Sequence, residues 1–111
     1  MLTKTFSAAV HGIDAILVNI EVSVEWGSGF TIVGLPDTAV KESAERVRCA
    51  IGQAGYEFPR KMVVINMSPA DIKKEGSAYD LPIAIGVLAG DEKIPADRLS
   101  RYMMMGELSL D

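Results

Sequence analysis

The first third of the chain alternates apolar and polar residues with a period of two. Residues 13–24 carry a branched apolar side chain at every second position from residue 16 onward: Ile16, Val18, Ile20, Val22 and Val24. Because neighbouring side chains of a β-strand point to opposite faces, the segment predicts a strand with one apolar face. Residues 4–10 and 30–34 have the same character. Turns at His11-Gly12 and at residues 27–29 would join the three strands into an antiparallel meander.

The period changes to that of a helix after residue 37. Apolar residues now recur at spacings of three and four: Val40, Ala44, Val47, Ile51 and Ala54. This spacing places them along one side of an α-helix over residues 38–54. Asp37 is of a residue type that favours the N-cap, and Gly55 is of the type that follows a helix. Cys49 lies beside the apolar stripe, and we expect its thiol to be packed and unreactive.

A nearly continuous apolar segment follows in the second half of the chain. The segment LPIAIGVLA, residues 81–89, is apolar on every side and therefore predicts a buried helix. Pro82 fits only in the first turn of that helix, so the helix should begin between Ser77 and Leu81. The pattern Ser77-x-x-Asp80 resembles a capping box, in which a side chain binds the free amides of the first turn.

Two further segments complete the expected order of elements. Residues 61–67 are rich in β-branched side chains, and residues 103–110 predict a last strand. The resulting order, β-β-β-α-β-α-β, is typical of an α+β domain whose sheet carries two helices. A length of 111 residues fits a single domain over residues 1–111. A strand that runs to the last residue indicates that the segment is part of a longer chain.

Composition narrows the classes of function. The net charge of −4 creates no overall field that attracts nucleic acid, although a local basic patch is compatible with it. One cysteine and one histidine, His11, exclude an internal disulfide and argue against a metal site. The longest apolar run, residues 81–90, is too short to cross a membrane, and the N-terminal apolar run is too short for a signal peptide. We therefore expect a cytoplasmic protein without a membrane partner.

The sequence offers few candidate residues for nucleotide binding or for nucleophilic catalysis. The phosphate-binding pattern GxxxxGK[ST] is absent. Ser77, Ser68 and Cys49 are candidate nucleophiles, but a serine needs a base within hydrogen-bonding distance. Lys73 and Lys74 lie in the same polar loop as Ser77, where solvation would keep both ammonium groups charged. A Ser77 that caps the buried helix is therefore favoured over a Ser77 that attacks a substrate.

Basic residues are concentrated in the middle of the chain. Residues 41–61 carry more cations than acids, and the cations are Lys41, Arg46, Arg48, Arg60 and Lys61. Helical spacing places Lys41 and Arg48 on one face, and Lys73 and Lys74 follow in a later loop. The concentration of cations has two interpretations. The side chains either contact phosphates, or they form a solvated face whose charges pair with one another. Both interpretations stay open at the level of the sequence.

Three segments resemble one known family. GFTIVGLPDTAVKESAERVRCAI (29–51), INMSPADIKKEGSAYDLPIAIGVLA (65–89) and MGELSLD (105–111) are similar to the N-terminal domain of magnesium-chelatase-like AAA+ ATPases of the YifB/ComM type. The resemblance implies the fold of the second domain of ribosomal protein S5, a mixed sheet with two helices that the proteolytic domain of Lon also uses. It implies no cofactor in this segment, because ATP and Mg²⁺ would bind to an AAA+ module elsewhere in the same chain.

The comparison with Lon bears on the loop before the buried helix. Lon carries a sequence that resembles K-D-G-P-S-A-G there, and its serine is the nucleophile of a Ser-Lys pair. With residues 74–76 aligned, the serine position falls on Ala78, and the segment that would supply the lysine lies beyond Asp111. The resemblance therefore implies the scaffold without its chemistry. A Ser-Lys peptidase that uses Ser77 is the enzymatic alternative.

The expected function is that of a non-catalytic accessory domain in a DNA-remodelling, branch-migration motor, which the resemblance implies to be a homo-hexamer. The domain would contact DNA or neighbouring subunits, and a regulatory module that binds only protein is the rival hypothesis. The residues expected to contact phosphates or a partner are Lys41, Arg46, Arg48, Lys73 and Lys74. The residues expected to build the strand-to-helix turn are Gly34, Pro36 and Asp37. The residues expected to form the start of the buried helix are Gly76, Ser77 and Asp80.

Overall fold

A computed structural model describes residues 1–110, which form an α+β fold with a four-stranded sheet. The strands are β1 (Leu2–His11), β2 (Asp14–Glu25), β3 (Phe30–Val33) and β4 (Met62–Ser68). The helices are α1 (Thr38–Lys41), α2 (Ser43–Gln53) and α3 (Asp80–Gly90), and a short 3-10 turn spans Leu99–Arg101. The α+β class, the first four strands and the two helical regions are therefore confirmed.

The sheet is mixed, and its strand order is β1-β2-β4-β3. β1 pairs antiparallel with β2, and β2 pairs antiparallel with β4, whereas β3 pairs parallel with β4. The predicted meander is therefore wrong for its third strand, because β4 lies between β2 and β3. A parallel pair needs a long crossover, and α1 with α2 supplies it. The first turn is also one residue later than predicted, because His11 pairs with Asp14.

The apolar faces of the strands form the core together with the helices. Val18, Ile20, Val22 and Val24 of β2 are buried, as their period of two predicted, whereas Ile16 is only half-buried. The core also takes up buried side chains of the other strands and of all three helices, such as Val40, Val47, Ile51, Ile65 and Ile83. This shared core holds the start of α3 against α2, where the candidate site lies.

Helix α3 lies directly on β1 and β2. The hydroxyl of Thr3 donates to the carbonyl of Gly86 at 3.0 Å, and that of Thr5 donates to the carbonyl of Pro82 at 2.9 Å. At Gly86 a Cβ atom would lie 2.5 Å from Cγ2 of Val22, so only glycine permits this close approach. The buried helix and the place of Pro82 in its first turn are thus confirmed.

The predicted helix over residues 38–54 is interrupted at Glu42, which separates α1 from α2. The capping role of Asp37 is confirmed, since its Oδ1 accepts a hydrogen bond from the amide of Val40 at 2.8 Å. Gly55, which has φ +90°, follows the end of α2 as predicted. Cys49 is exposed, so the expectation of a packed thiol is wrong. Two residues along a helix turn about 200°, which places Cys49 away from the buried Val47.

Residues 103–110 do not form the predicted last strand. The amide of Met104 donates to the carbonyl of Phe6 on β1 at 2.8 Å. Two residues later the segment turns to the start of α3, where Gly106 donates to Ala78 at 2.8 Å and accepts from Leu81 at 3.0 Å. A strand requires a continuous ladder with its neighbour, and here the backbone bonds are divided between β1 and α3.

Candidate functional site

The strand-to-helix turn after β3 and the loop before α3 are joined through Asp37. Besides capping α1, its carboxylate accepts a bond from the amide of Gly76 through Oδ2 at 3.3 Å. Its own amide donates to the carbonyl of Lys74 at 3.0 Å. Two segments that are about 40 residues apart in sequence thus form one unit.

Gly34 and Pro36 supply the backbone geometry of this turn. Gly34 has φ +107°, and a Cβ atom there would lie 2.0 Å from the carbonyl oxygen of Met67. Only glycine combines that conformation with such a close approach to β4. Pro36 forms an isolated parallel bridge with Lys74. This bridge therefore binds the backbone of Lys74 to the strand-to-helix turn, independently of its side chain.

The side chain of Lys74 is fully buried. Its Nζ donates to the carbonyl of Gly34 at 2.6 Å and to that of Pro69. Burial lowers the pKa of Lys74, and the charge of Asp71 opposes that shift. The prediction that Lys74 is solvated is therefore wrong, and its ammonium faces backbone carbonyls instead of a phosphate or a partner.

Asp80, at the start of α3, is fully buried and accepts hydrogen bonds from three residues in two other parts of the chain. Its Oδ1 accepts from Ser43 Oγ at 2.5 Å. Its Oδ2 accepts from Arg46 Nε at 2.6 Å and from the amide of Leu108 at 3.1 Å. Asp80 thereby joins α2, α3 and the segment that follows the 3-10 turn, and we call Ser43, Arg46, Asp80 and Leu108 the Asp80 cluster.

Arg46 is held on both sides within this cluster. Its Nη2 donates to the carbonyl of Ala39 at 3.0 Å and to Asp80 Oδ1 at 3.1 Å. The hydrogen bond with Asp80 raises the pKa of Arg46, while its partial burial opposes the rise. An ion pair with Glu42 is present at 3.9 Å, but Asp80 is the closer partner. Arg46, predicted to contact a phosphate or a partner, is thus used inside the domain.

The predicted capping box of Ser77 and Asp80 is not formed. The N-cap residue of α3 is Tyr79, which makes no capping bond with its side chain. The carboxylate of Asp80 binds the Asp80 cluster, and Ser77 meets the helix through its backbone carbonyl, which accepts from the amide of Asp80 at 3.2 Å. The sequence around Ser77 and Asp80 correctly predicts the start of a helix. The carboxylate of Asp80, however, makes tertiary hydrogen bonds instead of capping that helix.

A cleft of about 280 Å³ lies between β1 and the loop that leads into α3. Its lining consists of Ala8, Ala9, Val10, Lys73, Glu75, Ala78, Tyr79 and Met105. Ala78, in the place that the resemblance to Lon assigns to the nucleophile, presents a methyl group to this cleft. Lys73 lies at its rim and forms an exposed pair with Glu75 at 3.8 Å. Burial raises the pKa of Tyr79, so its hydroxyl stays protonated near neutral pH.

Comparison with known proteins places these features in a family. The family described as subunit ChlI of Mg-chelatase matches residues 18–111. The chain belongs to this family. It is 47% identical over 110 residues to the protein YifB of Escherichia coli and 50% identical over 110 residues to YifB of Salmonella typhimurium. It is 44% identical over 110 residues to the competence protein ComM of Haemophilus influenzae. Each match covers 98% of this chain and 22% of the relative, so the chain spans about a fifth of these proteins.

Within this member of the ChlI family, the other predicted contact residues lie on the surface. Lys41, Arg48 and Lys73 are exposed. The guanidinium carbon of Arg48 lies 4.4 Å from the ring centroid of Phe58. The predicted contact set therefore divides into two internal cations and three external ones. Sequence reasoning missed Ser43 and Phe58, whose roles depend on partners distant in sequence.

The described part of the chain contains neither a membrane-spanning helix nor a cluster of metal ligands. Among residues 1–110, no helix has both the length and the apolar character needed to cross a membrane. In that described range, no three histidine, cysteine, aspartate or glutamate residues converge in a way that could hold a metal ion.

Proposed function

We propose that this chain is a non-catalytic accessory domain of a magnesium-chelatase-like AAA+ ATPase. The ATPase reaction, with its ATP and Mg²⁺, belongs to a module of the parent protein outside residues 1–111. The membership of the ChlI family and the name of the ComM relative support this division. The α+β fold with its mixed sheet is compatible with the S5-like architecture that the Lon protease uses. We further infer that the parent protein acts in the cytoplasm as a homo-hexamer.

The observation that carries the non-catalytic proposal is the chemistry around Ala78. The cleft is lined by Ala78 where the resemblance to Lon places the serine nucleophile, and alanine carries no nucleophilic group. The nearby Lys74 cannot serve Ser77 as a base while its Nζ is bound to two backbone carbonyls. A general base needs a free lone pair within hydrogen-bonding distance of its nucleophile. The alternative Ser-Lys peptidase therefore lacks a base in this part of the chain.

We propose that the domain holds DNA and neighbouring subunits against the motor. Lys41, Arg48 and Lys73 are the exposed cations from the predicted set, and they are available to phosphates. The tip of the β1–β2 hairpin favours a contact between subunits, since Val10 is 84% exposed and Ile13 is 102% exposed. Large apolar side chains with this exposure are typical of protein contacts.

The test uses the full-length parent protein with Lys41→Glu and Lys73→Glu combined. If the domain holds DNA, the affinity for a forked duplex should fall severalfold, and the dependence of the binding constant on salt should become weaker. Fluorescence anisotropy at several salt concentrations measures both quantities. Unchanged affinity would remove these two lysines from the proposal.

The assembly part is tested with Val10→Ser and Ile13→Ser in the same protein. Analytical ultracentrifugation should then show a shift from hexamer toward smaller species, while ATP hydrolysis per subunit reports whether the motor stays folded. A serine-reactive probe that labels Ser77 would contradict the non-catalytic proposal and favour the peptidase.

A further inference from the structure

A second cleft lies near the start of β4, and Arg48 is its only residue from the predicted contact set. It has a volume of about 310 Å³ and is lined by Ser28, Gly29, Arg48, Phe58, Pro59, Arg60 and Lys61. Three of these side chains are cationic, and none of the described lining residues is acidic. We call it the cationic cleft. The adjoining cleft adds Lys93, Glu57 and Asp91, so this surface carries four cations and two carboxylates, whereas the whole chain has a net charge of −4.

Arg48 is oriented in the cationic cleft by aromatic packing. The rings of Phe30 and Phe58 stack with centroids 5.4 Å apart, and the guanidinium of Arg48 lies over Phe58 at 4.4 Å. This stacking holds the guanidinium through its face, so its N–H groups at the edge remain able to donate. A planar, oriented donor fork matches the geometry of a phosphate group.

Arg60 and Lys61 are the other two cations of the cationic cleft. The side chain of Arg60 is 90% exposed and pairs with Glu57 at 2.8 Å. That of Lys61 is 46% exposed and pairs with Asp91 at 3.3 Å. The pair of Arg60 with Glu57 is solvated and contributes little free energy, so a phosphate can displace Glu57 at small cost. The side chain of Asp91 is only 9% exposed, so its pair with Lys61 is held more firmly.

Trp26 lies beside this cluster and is the only tryptophan of the chain. The antiparallel register of β2 and β4 ends with Glu25 opposite Met62, so Trp26 directly follows the last paired residue and stands two positions before Ser28 of the cationic cleft. The chain stays close to β4 there, because a Cβ atom at Gly27 would lie 3.1 Å from Cβ of Met62. Trp26 is nevertheless 93% exposed. An indole that packs on nothing in its own domain is available to stack with a ligand.

We propose that the cationic cleft and Trp26 bind single-stranded nucleic acid. Arg48, Arg60 and Lys61 contact consecutive phosphates, and a base stacks on the indole of Trp26. Unpaired bases expose their faces to aromatic side chains, whereas the faces of duplex bases are covered by their neighbours. The inference rests on the proposed function, since it names the nucleic acid that the accessory domain holds and the residues that hold it.

The experiment measures binding of the full-length parent protein to a fluorescein-labelled oligothymidylate of about 20 nucleotides, a length that exceeds the usual site of a single binding fold. The variants are Trp26→Ala, Trp26→Phe and the double variant Arg60→Glu with Lys61→Glu. The control is Arg101→Glu, which makes the same change of charge per substituted residue beside Phe6 and Leu17 in a separate cleft. Rates of ATP hydrolysis without DNA report whether each variant stays folded.

We expect Trp26→Ala to weaken binding about tenfold, since loss of one base–aromatic stack has an effect of that order, and Trp26→Phe to restore part of it. The double variant should lower the affinity further. It should also reduce the slope of log K against log salt by about 1.4, because two phosphate contacts on a single strand are lost. A blunt duplex of equal length should compete poorly, and Arg101→Glu should bind as the parent protein does.

Three outcomes would overturn the inference. Binding that Lys41→Glu with Lys73→Glu abolishes, and that the Trp26 and Arg60–Lys61 variants leave unchanged, would keep the proposed function and place its contacts elsewhere. Equal competition by the duplex would show that stacking on Trp26 does not contribute. No binding of either nucleic acid by the unchanged parent protein would contradict the DNA part of the proposed function itself.

Discussion

The Asp80 cluster and the cationic cleft use the same residue type on the same helix in opposite ways. Arg46 lies between α2 and α3 with its charge balanced by a buried carboxylate. Arg48 stands two residues later on a ring surface, and its charge is open to solvent. Two residues turn about 200° along a helix, so the two guanidinium groups leave α2 in nearly opposite directions. Orientation on the helix, and not residue type, separates a structural cation from one that is available to a ligand.

The two adjacent lysines of the loop before α3 repeat this contrast. Lys73 is exposed and makes a long pair with Glu75, whereas Lys74 is buried on two carbonyls. A solvated pair is screened by water and salt, whereas a buried donor has no alternative partner if its acceptor is lost. Internal charges should therefore affect stability, and external charges should affect binding.

The largest effect is expected for Asp80→Ala. The substitution leaves Arg46, Ser43 and the amide of Leu108 without their shared acceptor. Removal of one member of a buried ion pair costs about 3–5 kcal/mol, and we expect about 3 kcal/mol because Arg46 can regain some water. Urea denaturation followed by circular dichroism measures the loss. A change below about 1 kcal/mol would contradict the role of the Asp80 cluster, since lost hydrogen bonds alone account for that amount.

A smaller loss is expected for Lys74→Ala. The carbonyls of Gly34 and Pro69 would lose their donor inside the domain, which costs about 2 kcal/mol. Lys73→Ala is the matched control, because it removes the same side chain from an exposed neighbouring position, and it should leave the midpoint of unfolding unchanged. Equal effects of the two substitutions in a urea titration would break the contrast between the adjacent lysines.

The smallest effect on stability is expected for Arg60→Gln. Its side chain is 90% exposed and its pair with Glu57 is solvated, so the unfolding midpoint should not change measurably. Arg46→Gln, which removes the same group from α2, should lower that midpoint clearly. Thermal unfolding of the two variants under identical conditions provides the comparison. A destabilised Arg60→Gln would show that the loop of residues 57–61 depends on this arginine for its fold.

Local signals in the sequence predicted the elements well. The period of two in β2, the N-cap at Asp37 and the continuous apolar segment of α3 depend on neighbours within a few residues, and the structure confirms each of them. The wrong predictions concern contacts between residues that are distant in sequence. The insertion of β4 between β2 and β3 depends on the crossover of the chain. The predicted strand over residues 103–110 is not formed, because its amides donate partly to β1 and partly to the start of α3.

The candidate site was harder to predict for the same reason. The spacing Ser77-x-x-Asp80 predicts a cap for Asp80, and the concentration of basic residues predicts a phosphate or partner contact for Arg46. Their pairing spans 34 positions in sequence and has no local signature. Lys74 next to Lys73 likewise gives no sign of its burial, since both lie in the same polar loop between Asp71 and Glu75. A buried polar side chain is recognised from its partners, and these become neighbours only on folding.

The position of Leu108 on Asp80 has a mechanical consequence. One carboxylate oxygen holds both the guanidinium of α2 and an amide of the segment that follows the 3-10 turn. A pull on residues 103–110 would therefore act on the base of α3 and, through Arg46, on α2. A load applied to this segment would therefore pass to both helices as well as to β1, which Met104 contacts. The Asp80 cluster is in this sense an anchor that couples displacement of one segment to strain between two helices.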